Sequence, residues 1–203
     1  MSARSGQIRL RARPRWRRRA GLRLAFALGL GLLLVSSPNA GRGQVSEQQL
    51  KAAFLFKFTQ YAEWPSEALG PADAPIRICV LDRAGLAQVL GEAVEGRTAG
   101  SRPLVTSLIE GAQEALGCHL LFVGASTGQE VMALLEELTG QPVLTVGDME
   151  GFAQLGGMIN LAKQGNRLRF EVNRRAVERA GLQLSSQLLK LASLVGESEE
   201  EAD

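Results

Sequence analysis

The sequence predicts an α/β protein: a three-layer α/β/α sandwich around a mixed, mostly parallel sheet with a C-terminal antiparallel hairpin. Short apolar runs alternate with helical segments of about 10 to 15 residues, which is the pattern of βαβ units. Residues 163–166, Lys-Gln-Gly-Asn, join two such runs and carry the Gly and Asn of a hairpin connection. A chain of 203 residues that is 45% apolar and 22% charged is sufficient for one globular domain.

The individual elements follow from hydrophobic periodicity. Strands are predicted at residues 76–81, 103–108, 119–123, 143–146, 158–162 and 168–172. Helices are predicted at residues 47–63, 85–94, 110–116, 127–138 and 174–180, with a final helix from residue 185 to 195, and residues 96–102 are predicted as a polar turn. Ser46 and Gln49 form the capping-box pattern at the first helix. Because parallel βαβ crossovers are right-handed, the helices are expected on both faces of the sheet.

Residues 1–43 have the order of a secretory signal. Nine arginines precede residue 24 without one acidic residue, a 12-residue apolar run fills residues 24–35, and small residues suited to cleavage follow. A membrane anchor is the alternative, but 12 helical residues span roughly 18 Å, whereas a hydrocarbon core is about 30 Å thick. We therefore predict export and cleavage after Ala40 or Gly43, and Arg18-Arg19 leaves the twin-arginine route open beside the general one.

Removal of the leader makes the protein acidic. Ten of the 23 Lys and Arg residues lie in residues 1–43 and none of the 21 Asp and Glu residues do, so the net charge of the remainder is −8. We expect a single domain at residues 44–196 and a disordered acidic tail at residues 197–203. An acidic surface without a basic stripe argues against nucleic-acid binding.

The two cysteines, Cys79 and Cys118, lie in or directly before predicted strands. An exported chain with an even number of cysteines is expected to oxidise them, so we predict a disulfide between the two. Two buried free thiols are the alternative. No CxxC motif is present, which argues against a thiol oxidoreductase.

Catalytic patterns are sparse. His119 is the only histidine, so ordinary metal sites and a Ser-His-Asp triad lack partners, and we expect no metal and no cofactor. Residues 124–128 either cap the following helix or hold an anion with their amides. Asp148 and Glu150, with Phe152, follow a strand at a position where α/β sheets commonly contact ligands or partners, although acids in such a turn are more often simply solvated.

Several strings occur together in one order: KAAFLFKF at residues 51–58, EWP at 63–65, ICVL at 78–81, GSRPL at 100–104, CHLLF at 118–122, VLTVGD at 143–148, GF at 151–152, GG at 156–157, RFEVN at 169–173, AGL at 180–182 and SS at 185–186. The ordered set resembles the YfiR family of small exported α/β proteins. The resemblance covers residues 47–195, almost all of the chain that would remain after cleavage.

The resemblance implies regulation without catalysis. Proteins of this family are periplasmic, dimeric repressors that bind the periplasmic sensory domain of a YfiN-type membrane diguanylate cyclase and lower cyclic di-GMP, a messenger of biofilm formation. An outer-membrane lipoprotein relieves the repression by sequestering them. Partner contacts carry over to Phe152, Ile159, Glu171 and Val177. Core packing is the alternative for all four and is the favoured interpretation for Phe152. Cys79 and Cys118 match a family cysteine pair. A periplasmic small-molecule sensor that feeds a histidine kinase or transporter is the second interpretation.

Overall fold

The computed structural model describes residues 45–124, 127–165 and 167–196, all of which belong to one compact unit, Arg42–Asp203. The leader predicted at residues 1–43 and the tail predicted at residues 197–203 lie outside the described residues. The helices are α1 Glu47–Tyr61, α2 Ser66–Leu69, α3 Ala84–Val94, α4 Ala112–Ala115, α5 Gly128–Glu137, α6 Arg174–Arg179 and α7 Ser186–Leu189. The strands are β1 Ala62–Glu63, β2 Ile76–Leu81, β3 Thr98–Ala99, β4 Arg102–Ile109, β5 Leu120–Val123, β6 Leu144–Gly147, β7 Ile159–Gln164, β8 Arg167–Asn173, β9 Gln183–Leu184 and β10 Ser193–Val195.

Eight of these strands form the central sheet, in the order β10-β8-β7-β6-β5-β2-β4-β3. Strands β4, β2, β5, β6 and β7 run parallel to one another. Strand β8 returns antiparallel to β7, and β10 runs parallel to β8 at the outer edge. The mixed, mostly parallel sheet and the antiparallel hairpin predicted from the sequence are therefore confirmed.

The sheet separates two hydrophobic cores. The first core holds Ile78 and Val80 of β2 beneath helices α1, α3 and α6. The second core holds Cys79 and Leu81 of the same strand beneath α4 and α5. Because successive strand residues point to opposite faces, one buried strand supplies both cores. This arrangement is the three-layer sandwich that the sequence predicts.

Helix α1 is held by its cap and by aromatic packing. The Ser46 hydroxyl accepts a hydrogen bond from the Gln49 N–H at 3.1 Å, and Gln49 Oε1 accepts one from the Ser46 N–H at 2.8 Å, as the capping-box pattern predicts. On the core side, the Phe58 ring is fully buried and meets the Phe170 ring of β8 edge-on, with 5.4 Å between their centroids. The cap and this contact anchor α1 across the hairpin end of the sheet.

The predicted disulfide is present between Cys79 and Cys118, with 5.9 Å between their Cα atoms. Cys79 lies in the middle of β2, and Cys118 lies two residues before β5, the strand next to β2 in the sheet. The bond is buried in the second core and ties two neighbouring strands across 39 positions of sequence.

Two predictions at the level of elements were wrong. The final helix is only α7, and the chain then turns at Lys190 into β10, which pairs with β8. The predicted polar turn at residues 96–102 contains the short strand β3, which pairs with the start of β4. In both places backbone pairing with a distant or folded-back strand overrides a local pattern. A helix with the length and hydropathy of a membrane span is absent from the part of the chain that the structure describes.

Candidate functional site

A polar groove of about 930 Å³ opens where strand β6 ends. Helix α1 contributes one side, the connection after β6 contributes another, and the hairpin β7–β8 forms the rest. The side chains and backbone that line it are Glu47, Lys51, Asp148, Glu150, Gly151, Gln154, Asn160, Leu161, Ala162, Lys163, Leu168 and Glu171. The groove lies at the carboxyl end of a parallel strand, the position at which α/β sheets commonly bind ligands.

An ion pair crosses the groove from α1 to the connection after β6. Lys51 Nζ lies 2.6 Å from Asp148 Oδ2, and both side chains are only 14% exposed. The same ammonium donates to Glu47 Oε1 at 2.7 Å, one turn earlier on the helix. Lys51 is therefore shared between a nearly buried carboxylate and an exposed one, and it fixes the α1 side of the groove against the sheet.

The pKa values on the α1 side follow from these contacts. Burial disfavours the Lys51 ammonium, but its hydrogen bonds to Asp148 and Glu47 and their negative charges outweigh burial, so the pKa of Lys51 is raised above its ordinary 10.5. The hydrogen bond from Lys51 and the charge of that ammonium lower the pKa of Glu47 below its ordinary 4.5. Lys51 stays charged throughout the physiological range.

Two acceptor oxygens in the groove are unsatisfied. Asp148 Oδ1 and Asn160 Oδ1 are buried and accept no hydrogen bond from the described residues. Asn160 is only 3% exposed, and its Nδ2 donates to Glu171 Oε2 on the neighbouring strand at 3.1 Å. Buried acceptors without a donor are rare in folded proteins and are costly. Both residues line the groove, so this part of its wall has more hydrogen-bond acceptors than donors.

The shape of the connection after β6 depends on two glycines around one aromatic ring. A Cβ atom at Gly147 or Gly157 would overlap the ring of Phe152, which is fully buried between them. The backbone therefore approaches two opposite sides of the ring more closely than a residue with a Cβ atom allows. This packing places Asp148, Glu150 and Gln154 along the groove while Phe152 fills the second core.

The four residues expected to contact a partner are distributed unevenly. Phe152 and Ile159 are fully buried, and Val177 is 3% exposed, so all three pack in the cores. Glu171 is half-buried and lines the groove. On the surface as it stands, Glu171 alone can meet a partner, and partner contact itself stays a prediction.

Two other residues considered from the sequence, Thr127 and His119, make hydrogen bonds that stabilise the local fold. Thr127 caps α5 in a capping box with Glu130. Of the two interpretations of residues 124–128, helix capping and anion binding, Thr127 therefore follows the first. Residues 125 and 126 lie outside the described residues. His119 Nδ1 accepts a hydrogen bond from the Arg77 N–H at 3.0 Å. Within the described ranges, no group of His, Cys, Asp and Glu side chains has the arrangement of a metal site.

A smaller cavity of about 290 Å³ lies between α6 and the β9 segment, and Val177 forms part of its wall. Among its lining side chains, none contributes a buried polar atom without a partner. We therefore place the candidate site in the larger groove. Lys51 and Asn160, which define that groove, were not predicted, although a lone Asn inside the apolar run at residues 158–162 was a visible signal.

The solved structures that this chain matches include a conserved domain protein from Vibrio cholerae O1 biovar El Tor and an ABC domain in complex with L-Trp from Streptococcus pneumonia. Each is 9% identical to this chain, with TM-scores of 0.48 and 0.46. The alignments cover 73% and 72% of this chain and 60% and 59% of the other chains, respectively. This chain thus spans about three fifths of the length of the solved proteins that it matches.

The model of the YfiR/HmsC-like family matches residues 48–193. The match extends from α1 to the start of β10, and it includes the disulfide, both cores and every groove-lining residue except Glu47. It confirms the family resemblance read from the ordered sequence strings. The chain belongs to the YfiR/HmsC-like family.

Proposed function

We propose that this protein is a non-enzymatic periplasmic regulator that binds the periplasmic sensory domain of an inner-membrane diguanylate cyclase and represses it, which lowers cyclic di-GMP. The observation that carries the proposal is the family match over residues 48–193. The export-type leader at residues 1–43 supports a periplasmic location, since its basic, apolar and small-residue segments follow in the order of a secretory signal.

The groove at the end of β6 is the surface that we assign to the partner. Glu171 lines it and is the one accessible residue among the four expected contacts. Four carboxylates and two ammonium groups surround the opening, so its net charge is negative. A positively charged side chain of a partner would therefore be attracted into the groove. An outer-membrane lipoprotein that competes for the regulator, and a homodimer as the active form, complete the proposed assembly.

Deletion of the gene tests the regulation. We expect cellular cyclic di-GMP to rise several-fold in the deletion strain and to return to the starting level when the gene is restored. Restoration of the gene with residues 1–43 removed should leave the level high, because the product would not reach the periplasm. An unchanged cyclic di-GMP level in the deletion strain would rule out repression.

A pair of charge reversals tests the surface. Glu171→Arg should abolish co-purification with the cyclase's periplasmic domain and should fail to restore low cyclic di-GMP. Glu95→Arg makes the same charge change on an exposed turn outside the groove and should behave as the unchanged protein. Equal amounts of both variants in the periplasm establish that folding is retained, and equal binding by both would remove Glu171 from the contact surface.

A further inference from the structure

Strand β7 extends past the end of its neighbour β6. The two strands pair at only two positions, Val146 with Ile159 and Gly147 with Asn160, and β6 ends at Gly147. The remaining part of β7, residues 161–164, is paired on the other side with β8. Among the described residues, no backbone hydrogen bond from outside that hairpin reaches residues 161–164. Four of the six residues of β7 thus form an open strand edge along one wall of the groove.

The direction of the open backbone groups follows from one hydrogen bond. The Met158 carbonyl accepts a hydrogen bond from the Asn173 N–H at 2.9 Å. The backbone carbonyl of Met158 is therefore directed toward β8. The direction of the backbone N–H and carbonyl groups alternates from residue to residue along an antiparallel pair. Those of Asn160 and Ala162 are therefore also directed toward β8, and those of Leu161 and Lys163 are directed toward the open side. The N–H and carbonyl of Lys163 and the carbonyl of Leu161 therefore face the groove unpaired.

The side chains around this open edge favour a cation. The carboxylates of Glu47, Asp148, Glu150 and Glu171 outnumber the ammonium groups of Lys51 and Lys163 by four to two. Asp148 and Asn160 line the same groove, and each has one buried oxygen that accepts no hydrogen bond from the described residues. An open strand edge is matched by another extended backbone, and the surplus of acceptors is matched by a Lys or Arg side chain.

We infer that residues 161–164 accept an extended segment of a partner protein as an added β-strand, and that a Lys or Arg of this segment occupies the groove beside Asp148 and Asn160. Four strand residues span about 13 Å, so a segment of roughly four to six residues fills the edge. The inference rests on the proposal that the groove binds a partner. It does not depend on that partner being a cyclase.

A displayed library of random eight-residue segments, selected on the full gene product purified from expressing cells, tests this inference. We expect the enriched segments to share a Lys or Arg between β-prone residues, and replacement of that residue by Glu in the best synthetic peptide to weaken binding at least about tenfold. On binding, hydrogen exchange of the Lys163 amide should slow by about tenfold or more, because that N–H gains a partner.

Two variants at one position separate backbone pairing from charge. Lys163→Pro removes the open N–H and should weaken binding of the best peptide by about tenfold, whereas Lys163→Ala keeps the N–H and should bind at least as tightly because a positive charge leaves the groove. Thermal unfolding and the near-UV spectrum check that both variants fold. Absence of enriched segments, enrichment without Lys or Arg, or unchanged Lys163 exchange would overturn the inference.

The same measurements keep the inference apart from the proposed function. If the cyclase domain co-purifies with the protein but neither the library nor hydrogen exchange implicates residues 161–164, strand addition is refuted and repression stands. If peptides bind as expected but deletion leaves cyclic di-GMP unchanged, strand addition stands for a different partner and the proposed repression is refuted.

Discussion

Lys51 of α1 and Asp148 after β6 lie 97 positions apart in the chain, and their charged atoms meet at 2.6 Å. Both side chains are 14% exposed, so water screens this pair far less than it screens a surface pair. The contact joins the first helix of the domain to the end of a central strand at the mouth of the groove. The stability of the fold and the shape of the candidate site therefore share one interaction.

Lys51→Met should lower the free energy of unfolding by about 1–3 kcal/mol, because the nearly buried Asp148 carboxylate loses its main partner. Denaturant unfolding measures the change. The matched control is Lys163→Met, which removes an ammonium from an exposed pair with Glu47 at 3.5 Å and should cost less than about 0.5 kcal/mol.

A double-mutant cycle assigns that cost to the pair. The Lys51→Met/Asp148→Asn variant should be destabilised by less than the sum of the two single variants, because the partner left uncompensated in each single variant is absent. A coupling energy indistinguishable from zero would show that Lys51 stabilises the fold through packing of its methylene chain and not through Asp148.

Gly157→Ala should destabilise the domain by about 1–3 kcal/mol, since the new methyl group overlaps the buried Phe152 ring. Gly111→Ala is the matched control, because a Cβ at Gly111 meets nothing within 4 Å and its φ of −158° is ordinary extended backbone. Thermal unfolding compares the two variants. If Phe152 is the cause, Gly157→Ala should cost much less in a Phe152→Leu background, and an equal loss in both backgrounds would point elsewhere.

The sequence predicted those parts of the fold that local periodicity determines. Strand β2 was bounded correctly at residues 76–81, because its continuous apolar run has no competing helical pattern. The prediction of one helix after Ser185 was wrong, because there the local pattern and the tertiary pairing disagree. Its leucines repeat at helical spacing, yet residues 193–195 pair with β8, and only the folded partner strand supplies that preference.

The candidate site was only partly predictable. Glu171 was singled out by the family resemblance, and it lines the groove. Asp148 was noticed for its place after a strand, but a solvated turn residue was the preferred interpretation, whereas its side chain is only 14% exposed and pairs with Lys51. Lys51 was missed because a single lysine on an apolar helix is usually a solvated side chain. No local pattern links Lys51 to Asp148, whose contact is created by the packing of α1 against the sheet. Asn160 was the detectable omission, since an amide inside a buried strand requires a partner.

Removal of the disulfide in a Cys79→Ala/Cys118→Ala variant should lower the free energy of unfolding by about 4 kcal/mol, the chain-entropy value for a loop of this length. The bond closes a separation of 39 residues, and Cys79 is fully buried, so alanine avoids placing a new polar group in the core. Denaturant unfolding of the unchanged protein with and without a thiol reductant provides the comparison. A reductant that leaves the unfolding midpoint of the unchanged protein in place would contradict the prediction.

His119 should titrate below its ordinary pKa of 6.5. Burial, the largest effect on this pKa, favours the neutral imidazole. A backbone hydrogen bond with Ala68 opposes burial, and the positive charges of Arg77 and Arg102 act in the same direction as burial. His119 is the only histidine, so its ring signal in a proton NMR titration is unambiguous. A midpoint at or above 6.5 in the folded protein would contradict this prediction.

The lowered pKa of His119 also determines how the free energy of unfolding changes with pH. The unfolded chain binds the proton more readily than the folded one, so the stability present above pH 6.5 is lost as the pH falls through 6.5 toward the folded-state pKa. Unfolding free energies at about pH 7.5 and about pH 5.5 should therefore differ more in the unchanged protein than in His119→Asn. Asn is the matched substitution because its Oδ1 can still accept the Arg77 N–H that Nδ1 accepts at 3.0 Å. An equal pH dependence in the two proteins would place the loss of stability at acidic pH on the carboxylates instead.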